Sequence, residues 1–214
     1  MKEFKKITAL VLVVTLLLLT FGGCNKKSPL ADYKIDESID PKDVYYVAMA
    51  IEDHGIIIVE LDAVNAPITV RNFVKLVRQG FYDGLTFHRV IEGFMIQGGD
   101  PNANGTGSSD EKIPGEFLSN GYTNFLTHQK GVISMARGED PDSGSCQFFI
   151  CNATNSTVTG LDYRYAAFGH VVEGLDVVDS ITNATAKYGN SNGTISDKDN
   201  QAVITEMKVI IYTP

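Results

Sequence analysis

The stretch Phe87-His88-Arg89-Val90-Ile91-Glu92-Gly93-Phe94-Met95-Ile96-Gln97-Gly98-Gly99-Asp100 decides the reading of this chain. Two short apolar runs flank Glu92-Gly93, so the segment reads as strand, turn, strand. Within nine residues it carries Arg89, Gln97 and the large apolar side chains Phe94 and Met95. No nucleophile, paired carboxylate or metal-ligand cluster accompanies them. His54, His88, His128 and His170 lack ligand spacing, so no metal is expected, and no cofactor fingerprint is present. A cation beside an apolar pocket suits a reaction in which no covalent bond is broken.

The flanking sequence places this stretch in a β-rich domain. Val44–Ile51 and Ile56–Leu61 are apolar runs joined by Glu52-Asp53-His54-Gly55, a hairpin signal. One helix follows: Pro67 suits its first turn, Val70, Phe73, Val74 and Val77 recur at helical spacing, and Gly80 suits the stop. Thr86–Ile91 and Phe94–Gln97 read as strands, followed by a Gly/Ser-rich loop over 100–110. Gly131–Ala136, Cys146–Cys151 and Ala166–Val172 read as further strands. A second helix is expected near Gly174–Thr182, with Leu175, Val178 and Ile181 inward. Asn183–Asn200 reads as a polar loop. Val203–Tyr212 closes the chain as a strand with Val203, Thr205, Met207, Val209 and Ile211 on one face. Many short strands with two helices point to an antiparallel barrel or sandwich. Extended alternation puts Phe87, Arg89 and Ile91 on one face with His88 opposite, and Gln147, Phe149 and Cys151 together on another strand.

Three blocks in this order resemble the cyclophilins, the peptidyl-prolyl cis-trans isomerases. They are Phe87 to Asp100, then Gly131-Val132-Ile133-Ser134-Met135-Ala136-Arg137, then Gln147-Phe148-Phe149-Ile150 with Phe168-Gly169-His170-Val171-Val172-Glu173-Gly174 downstream. The resemblance spans about Val44 to Thr213. It implies a mainly β fold, a closed eight-stranded antiparallel barrel capped by two α-helices. It implies a catalytic Arg89 and a Gln97 that hydrogen-bonds the substrate backbone. Phe94, Met95, Phe149 and Leu161 match the proline pocket. Ala136, Arg137, Gln147 and Gly105 match groove-lining positions, and Tyr165 falls where bacterial members often carry tyrosine. The partners implied are proline-containing polypeptides. Departures from the family are a lengthened 152–160 loop, the absence of tryptophan near Leu161, Cys146 beside the second subsite, and Tyr163 where glycine is common.

The ends of the chain add a location. Lys2, Lys5 and Lys6 precede an apolar run, Ala9 to Leu19, and then Phe21-Gly22-Gly23-Cys24. This reads as a secretory signal over residues 1–23, too short for a comfortable bilayer span. Cys24 after Gly22-Gly23 looks like a lipobox cysteine, although Phe21 stands where leucine is usual. The expectation is export, with a lipid on Cys24 at the outer face of a bacterial membrane. Residues 24–43 then form a flexible, Pro-punctuated tether, and 44–214 the domain. The whole chain has 18 basic and 26 acidic residues, for a net charge of −8. Removing 1–23 takes away three lysines and Glu3, which leaves 15 and 25. That acidity argues against nucleic acid, and an ordinary surface suggests a monomer. Cys146 and Cys151 lie roughly 16 Å apart along one strand, beyond the ~7 Å limit for a disulfide.

Two functions fit. One is an isomerase that accelerates folding of exported proteins; the other is a proline-segment chaperone or adaptor with little turnover. A receptor for small solutes would want two α/β lobes, which this β-rich chain lacks.

Overall fold

The computed structural model describes residues 28–38 and 42–213; the expected signal segment over 1–23 and the expected lipid site at Cys24 lie outside them. In chain order the elements are β1 (Val44–Ile51), β2 (Gly55–Asp62), α1 (Pro67–Arg78), β3 (Thr86–Phe87), β4 (Arg89–Ile91), β5 (Met95–Gly98), β6 (Val132–Met135), β7 (Phe148–Cys151), α2 (Ser156–Thr159), β8 (Ala167–Glu173), α3 (Leu175–Thr185) and β9 (Ala202–Ile210). The strands form one antiparallel sheet in the order β3-β9-β1-β2-β8-β6-β7-β5-β4. Its two end strands are consecutive in the chain, so the sheet curls round until β3 runs into β4. This is the expected barrel with nine strands rather than eight, because Thr86–Ile91 breaks at His88 and its halves pair with different neighbours.

That break corrects the face assignment. Phe87 and Val90 both enter the barrel core, whereas Ile91 packs with the apolar side chains outside it. Phe87 therefore does not share a face with Arg89. A second phase change occurs in β9. Ala50 pairs with Glu206 and Ile51 with Ile204, so Thr205 is the extra residue of a bulge. Ala202, Ile204, Met207 and Val209 face the core, while Ile211 is 48% exposed. The expected single face of Val203, Thr205, Met207, Val209 and Ile211 is therefore broken: Met207 and Val209 keep it, the bulge puts Val203 and Thr205 out of phase, and Ile211 lies beyond the strand's end.

α1 forms for the reasons its sequence suggests. Val70, Phe73, Val74 and Val77 are buried against the barrel. Gly80 has φ +67°; its N–H donates to Val77 O and that of Phe81 to Leu76 O, the paired bonds that close a helix at a left-handed glycine. The other end is capped from a distance. The buried Glu116 carboxylate accepts from Ile68 N at 3.0 Å and Thr69 N at 2.7 Å, a negative group on otherwise orphaned donors. α3 runs three residues further than expected, to Thr185. Its buried face is Val177, Val178 and Ile181, and Leu175 is 39% exposed.

The 24–43 tether is also corrected where it is described. Residues 28–38 lie packed on the outer face of β1, β2 and β9. Leu30 is fully buried among Ala48, Ala50, Ile58 and Ile210, with Tyr33 and Tyr212 packed around them. Ile35 bridges Ile210; Asp36 N donates to Val209 O at 2.8 Å and Ile211 N to Lys34 O at 2.7 Å. Asp36 pairs with Lys42, and Arg78 donates to Ser38 O. Two apolar anchors and a few backbone bonds thus turn a polar segment into a strap.

Candidate active site

A single row of cross-strand partners builds the site. Arg89 on β4 lies opposite Gln97 on β5, Gln97 opposite Phe149 on β7, and Phe149 opposite Ser134 on β6. Partners in register share a face, so these side chains rise together on the barrel's outer side. Ile96, Phe148 and Ile150 point the other way into the core. Phe148 makes edge contacts with Phe73, Tyr82 and Phe87 there, which anchors the strands beneath the site.

The resulting pocket has a volume of about 180 Å³. Arg89, Phe94, Met95, Gln97, Ala136, Arg137, Phe149, Leu161 and Tyr165 line it. It is smaller than a drug-sized cleft and suits one small ring. Gly105 and Gln147 adjoin it through hydrogen bonds. Gln97 Nε2 donates to Gln147 Oε1 at 2.9 Å, and Gln147 Nε2 donates to Gly107 O at 2.8 Å and Gly105 O at 3.2 Å. The Gly/Ser-rich loop is itself wound on Asp100, whose carboxylate accepts from the N–H groups of Asn102, Asn104 and Gly105. Burial pushes the Asp100 pKa up, but these bonds outweigh it and hold the group below its ordinary value. A larger cleft of about 700 Å³, between α1 and Lys42–Tyr45, shares no residue with this site.

Arg89 is held on two sides. Its Nε donates to Asn192 O at 2.7 Å and its Nη1 to Gln97 Oε1 at 3.1 Å. Nη2 is left without a protein acceptor among the described residues. Burial draws the Arg89 pKa down, opposed by Tyr165; a guanidinium stays charged regardless. Arg137 is differently employed. Its Nε and Nη2 donate to Arg164 O and its Nη1 to Gly138 O and Glu139 O, while its guanidinium lies 4.7 Å from the Tyr165 ring and 5.1 Å from that of Phe117. It clasps two loops and stiffens the Tyr165 wall.

Behind Phe149 lies a buried polar chain. His128 Nδ1 is 2.9 Å from Asp162 Oδ1 and its Nε2 is 3.0 Å from Ser134 Oγ. The imidazole stacks on Phe149 at 6.1 Å with a 17° interplanar angle. The order Asp, His, Ser resembles that of a hydrolase, but Ser134 and His128 are sealed from solvent; here the chain braces the pocket floor. The 152–160 segment does not line the pocket. It folds into α2, capped by Asn155, whose Oδ1 accepts from Thr157 N and Val158 N, and Val158 packs behind Met95 and Phe149. Cys146 and Cys151 are free and buried in different apolar clusters. Burial pushes Cys151 up to about 12.

The chain matches the family description "Cyclophilin type peptidyl-prolyl cis-trans isomerase/CLD" over residues 46–209. This chain belongs to the cyclophilins. It is 43% identical over 138 residues to the peptidyl-prolyl cis-trans isomerase of Acinetobacter baylyi, covering 63% of this chain and 71% of that one. It is 41% identical over 164 residues to that of Streptomyces antibioticus, covering 73% and 93%. The fold is similar to a Cryptosporidium parvum cyclophilin-type isomerase crystallised in the presence of the dipeptide Ala-Pro. That match has TM-score 0.65 and 25% identity, and covers 78% of this chain and 99% of that one.

Within this cyclophilin, the sequence alone does not single out Asn192, His128, Ser134 or Asp162 as part of the site. Asn192 acts through its carbonyl, which every residue has, so its identity carried no signal. The Asp162-His128-Ser134 chain comes from three separated segments, and only a tertiary contact joins them.

Proposed function

We propose that this chain catalyses prolyl isomerisation in exported polypeptides by a non-covalent mechanism in which Arg89 stabilises the twisted amide. The observation that carries this reading is the placement of the Arg89 guanidinium. It stands at the edge of a pocket whose apolar walls are Phe94, Met95, Phe149 and Leu161, anchored by Nε and Nη1, with Nη2 left to donate to a ligand.

The chemistry follows from the peptide bond. Rotation about X–Pro must surmount roughly 18–20 kcal/mol because amide resonance is lost. In the twisted state the proline nitrogen becomes pyramidal and regains its lone pair. A fixed N–H donor at that nitrogen binds the twisted form more strongly than the planar one, which is what lowers a barrier. The proline ring sits on Met95, Phe149 and Leu161, beside Phe94. Gln97, and Gln147 behind it, engage the substrate backbone on one side of the bond while the preceding carbonyl swings. A thousandfold acceleration needs about 4 kcal/mol, within the reach of one charge-assisted bond combined with positioning.

The cellular setting is part of the same reading. A lipid on Cys24 holds the domain at the outer face of the membrane. Ser28, which hydrogen-bonds Glu206 on β9, is four residues on from Cys24, a span of at most about 14 Å. The barrel therefore rides close to the bilayer rather than on a long leash.

The test pairs two assays. A soluble fragment beginning at Ser28 should accelerate cis/trans exchange of an X-Pro peptide, and full-length protein made in bacteria should incorporate labelled fatty acid that Cys24→Ala abolishes. A folded fragment that binds the peptide without accelerating exchange overturns the enzyme in favour of the chaperone. Lack of label in the wild-type chain removes the lipid anchor.

A further inference from the structure

Arg89 can act on a developing lone pair only if its planar fork is aimed, and a guanidinium on a flexible stem does not aim itself. Gln97 supplies one restraint. The other is the backbone carbonyl of Asn192, at 2.7 Å from Nε. That carbonyl belongs to a turn with no regular secondary structure of its own, over a polar cleft of about 370 Å³ between α3 and β4. What shapes this turn therefore shapes the reacting geometry.

One side chain shapes it. Asn190 Oδ1 accepts from Asn192 N at 2.9 Å and from Thr194 N at 3.1 Å. The Asn190 backbone closes the same loop: its N–H donates to Thr194 O at 3.0 Å, and its carbonyl accepts from Gly193 N at 2.8 Å. The closed turn is laid on the catalytic strand. Val90 N donates to Gly193 O, Ile195 N donates to His88 O, and Thr194 bridges Arg89. Gly193 permits the approach. It has φ +79°, and a Cβ there would lie 2.3 Å from Ile91 Cγ1 and 2.8 Å from Val90 O. Asn190 is itself solvent-accessible, so it adds little to the core.

We propose that Asn190 is a positioning residue: by tying the 190–194 turn, it holds the Asn192 carbonyl where it orients the Arg89 guanidinium. This rests on the reading of Arg89 given above. Asn190 never touches substrate. Its effect should fall on turnover rather than on peptide affinity.

The experiment uses the full-length protein and exchange NMR on an X-Pro peptide, with peptide affinity and thermal unfolding measured in parallel. Asn190→Ala should slow catalysed exchange about tenfold while peptide Kd stays within twofold and the unfolding midpoint barely moves. Asn190→Asp keeps both acceptor bonds and should recover most of the rate. In an Arg89→Ala background, Asn190→Ala should have no further effect. If Arg89→Ala itself keeps wild-type turnover, the reading of Arg89 fails, and this inference with it. If Arg89→Ala is slow but Asn190→Ala turns over normally, only the inference fails. It fails too if Asn190→Ala slows both backgrounds equally, or if Asn190→Asp recovers nothing.

Discussion

Arg89 and Gln97 face each other across the β4–β5 pair, and the guanidinium Nη1 donates to Gln97 Oε1 at 3.1 Å. Gln97 in turn donates to Gln147, which reaches the carbonyls of Gly105 and Gly107. A chain of single hydrogen bonds thus links the guanidinium to the glycine-rich loop. Replacing Gln97 by leucine should lower kcat/KM for an X-Pro peptide about ten- to a hundredfold, since a small misplacement of a reacting group has effects of that size. Gln97 is only half-buried, so urea unfolding should shift by less than about 1 kcal/mol. An equal loss of rate and stability would assign Gln97 to the scaffold instead.

The strap makes a prediction about stability alone. Leu30 fills a site walled by Ala48, Ala50, Ile58 and Ile210 on the side of the sheet that β1 would otherwise expose. Leu30→Ala should cost about 2–4 kcal/mol of unfolding free energy, read from a urea midpoint, with turnover unchanged while the protein is folded. A fragment starting at Val44 should be less stable than one starting at Ser28 by at least as much. Equal midpoints for the two fragments would show that the strap is ornamental.

Tyr163 has φ +65°, a left-handed conformation that costs a non-glycine residue roughly 1–2 kcal/mol. Its side chain is 51% exposed, and its carbonyl accepts from Ser119 N, a bond that glycine keeps. Tyr163→Gly relieves the strain against an unfolded-state entropy penalty of roughly 0.4–1 kcal/mol. The melting temperature should therefore rise slightly; a fall would mean that the exposed ring carries packing energy.

Two buried histidines set a dependence on pH. Burial lowers the His88 pKa, with Asp100 opposing and Arg89 assisting, and lowers that of His128 against the pull of Asp162. As pH falls, the unfolded imidazoles, near 6.5, take up protons before the folded ones do. The unfolded state then binds more protons, so stability is lost as pH drops through that value toward the lower folded pKa. Unfolding free energy should be level from pH 8 to 7 and decline below about 6.5. Neither ring nitrogen of His88 has a hydrogen-bond partner among the described residues, so His88→Leu should flatten the decline without breaking a bond. An unchanged slope in that variant would leave His128 and the carboxylates as its source.

Much of this was legible in the chain itself. Pro67, the Val70-Phe73-Val74-Val77 stripe and Gly80 define α1 because local chemistry decides them, and the apolar runs joined by Glu52-Asp53-His54-Gly55 mark β1 and β2 as a hairpin. Seven of the residues that line the pocket, Arg89, Phe94, Met95, Gln97, Ala136, Arg137 and Phe149, fall in the three short blocks, while Leu161 and Tyr165 lie outside them. What escaped depends on pairing between distant segments. The break at His88 arises because β3 pairs with β9 and β4 with β5. The Thr205 bulge is set by its register against Ala50 and Ile51. The strap had one trace: Ala48, Ala50 and Ile58 are apolar on the face that an uncovered strand would make polar. The Asn192 carbonyl had none.

In the proposed mechanism Arg89 stabilises the twisted amide rather than the bound peptide. The direct measurement is exchange NMR on an X-Pro peptide at saturating concentration, comparing wild type with Arg89→Ala. Catalysed exchange should fall at least tenfold while the peptide still binds with Kd changed less than about threefold, because ground-state binding rests on the apolar pocket. An Arg89→Ala protein that binds as wild type and exchanges the peptide just as fast would contradict the account.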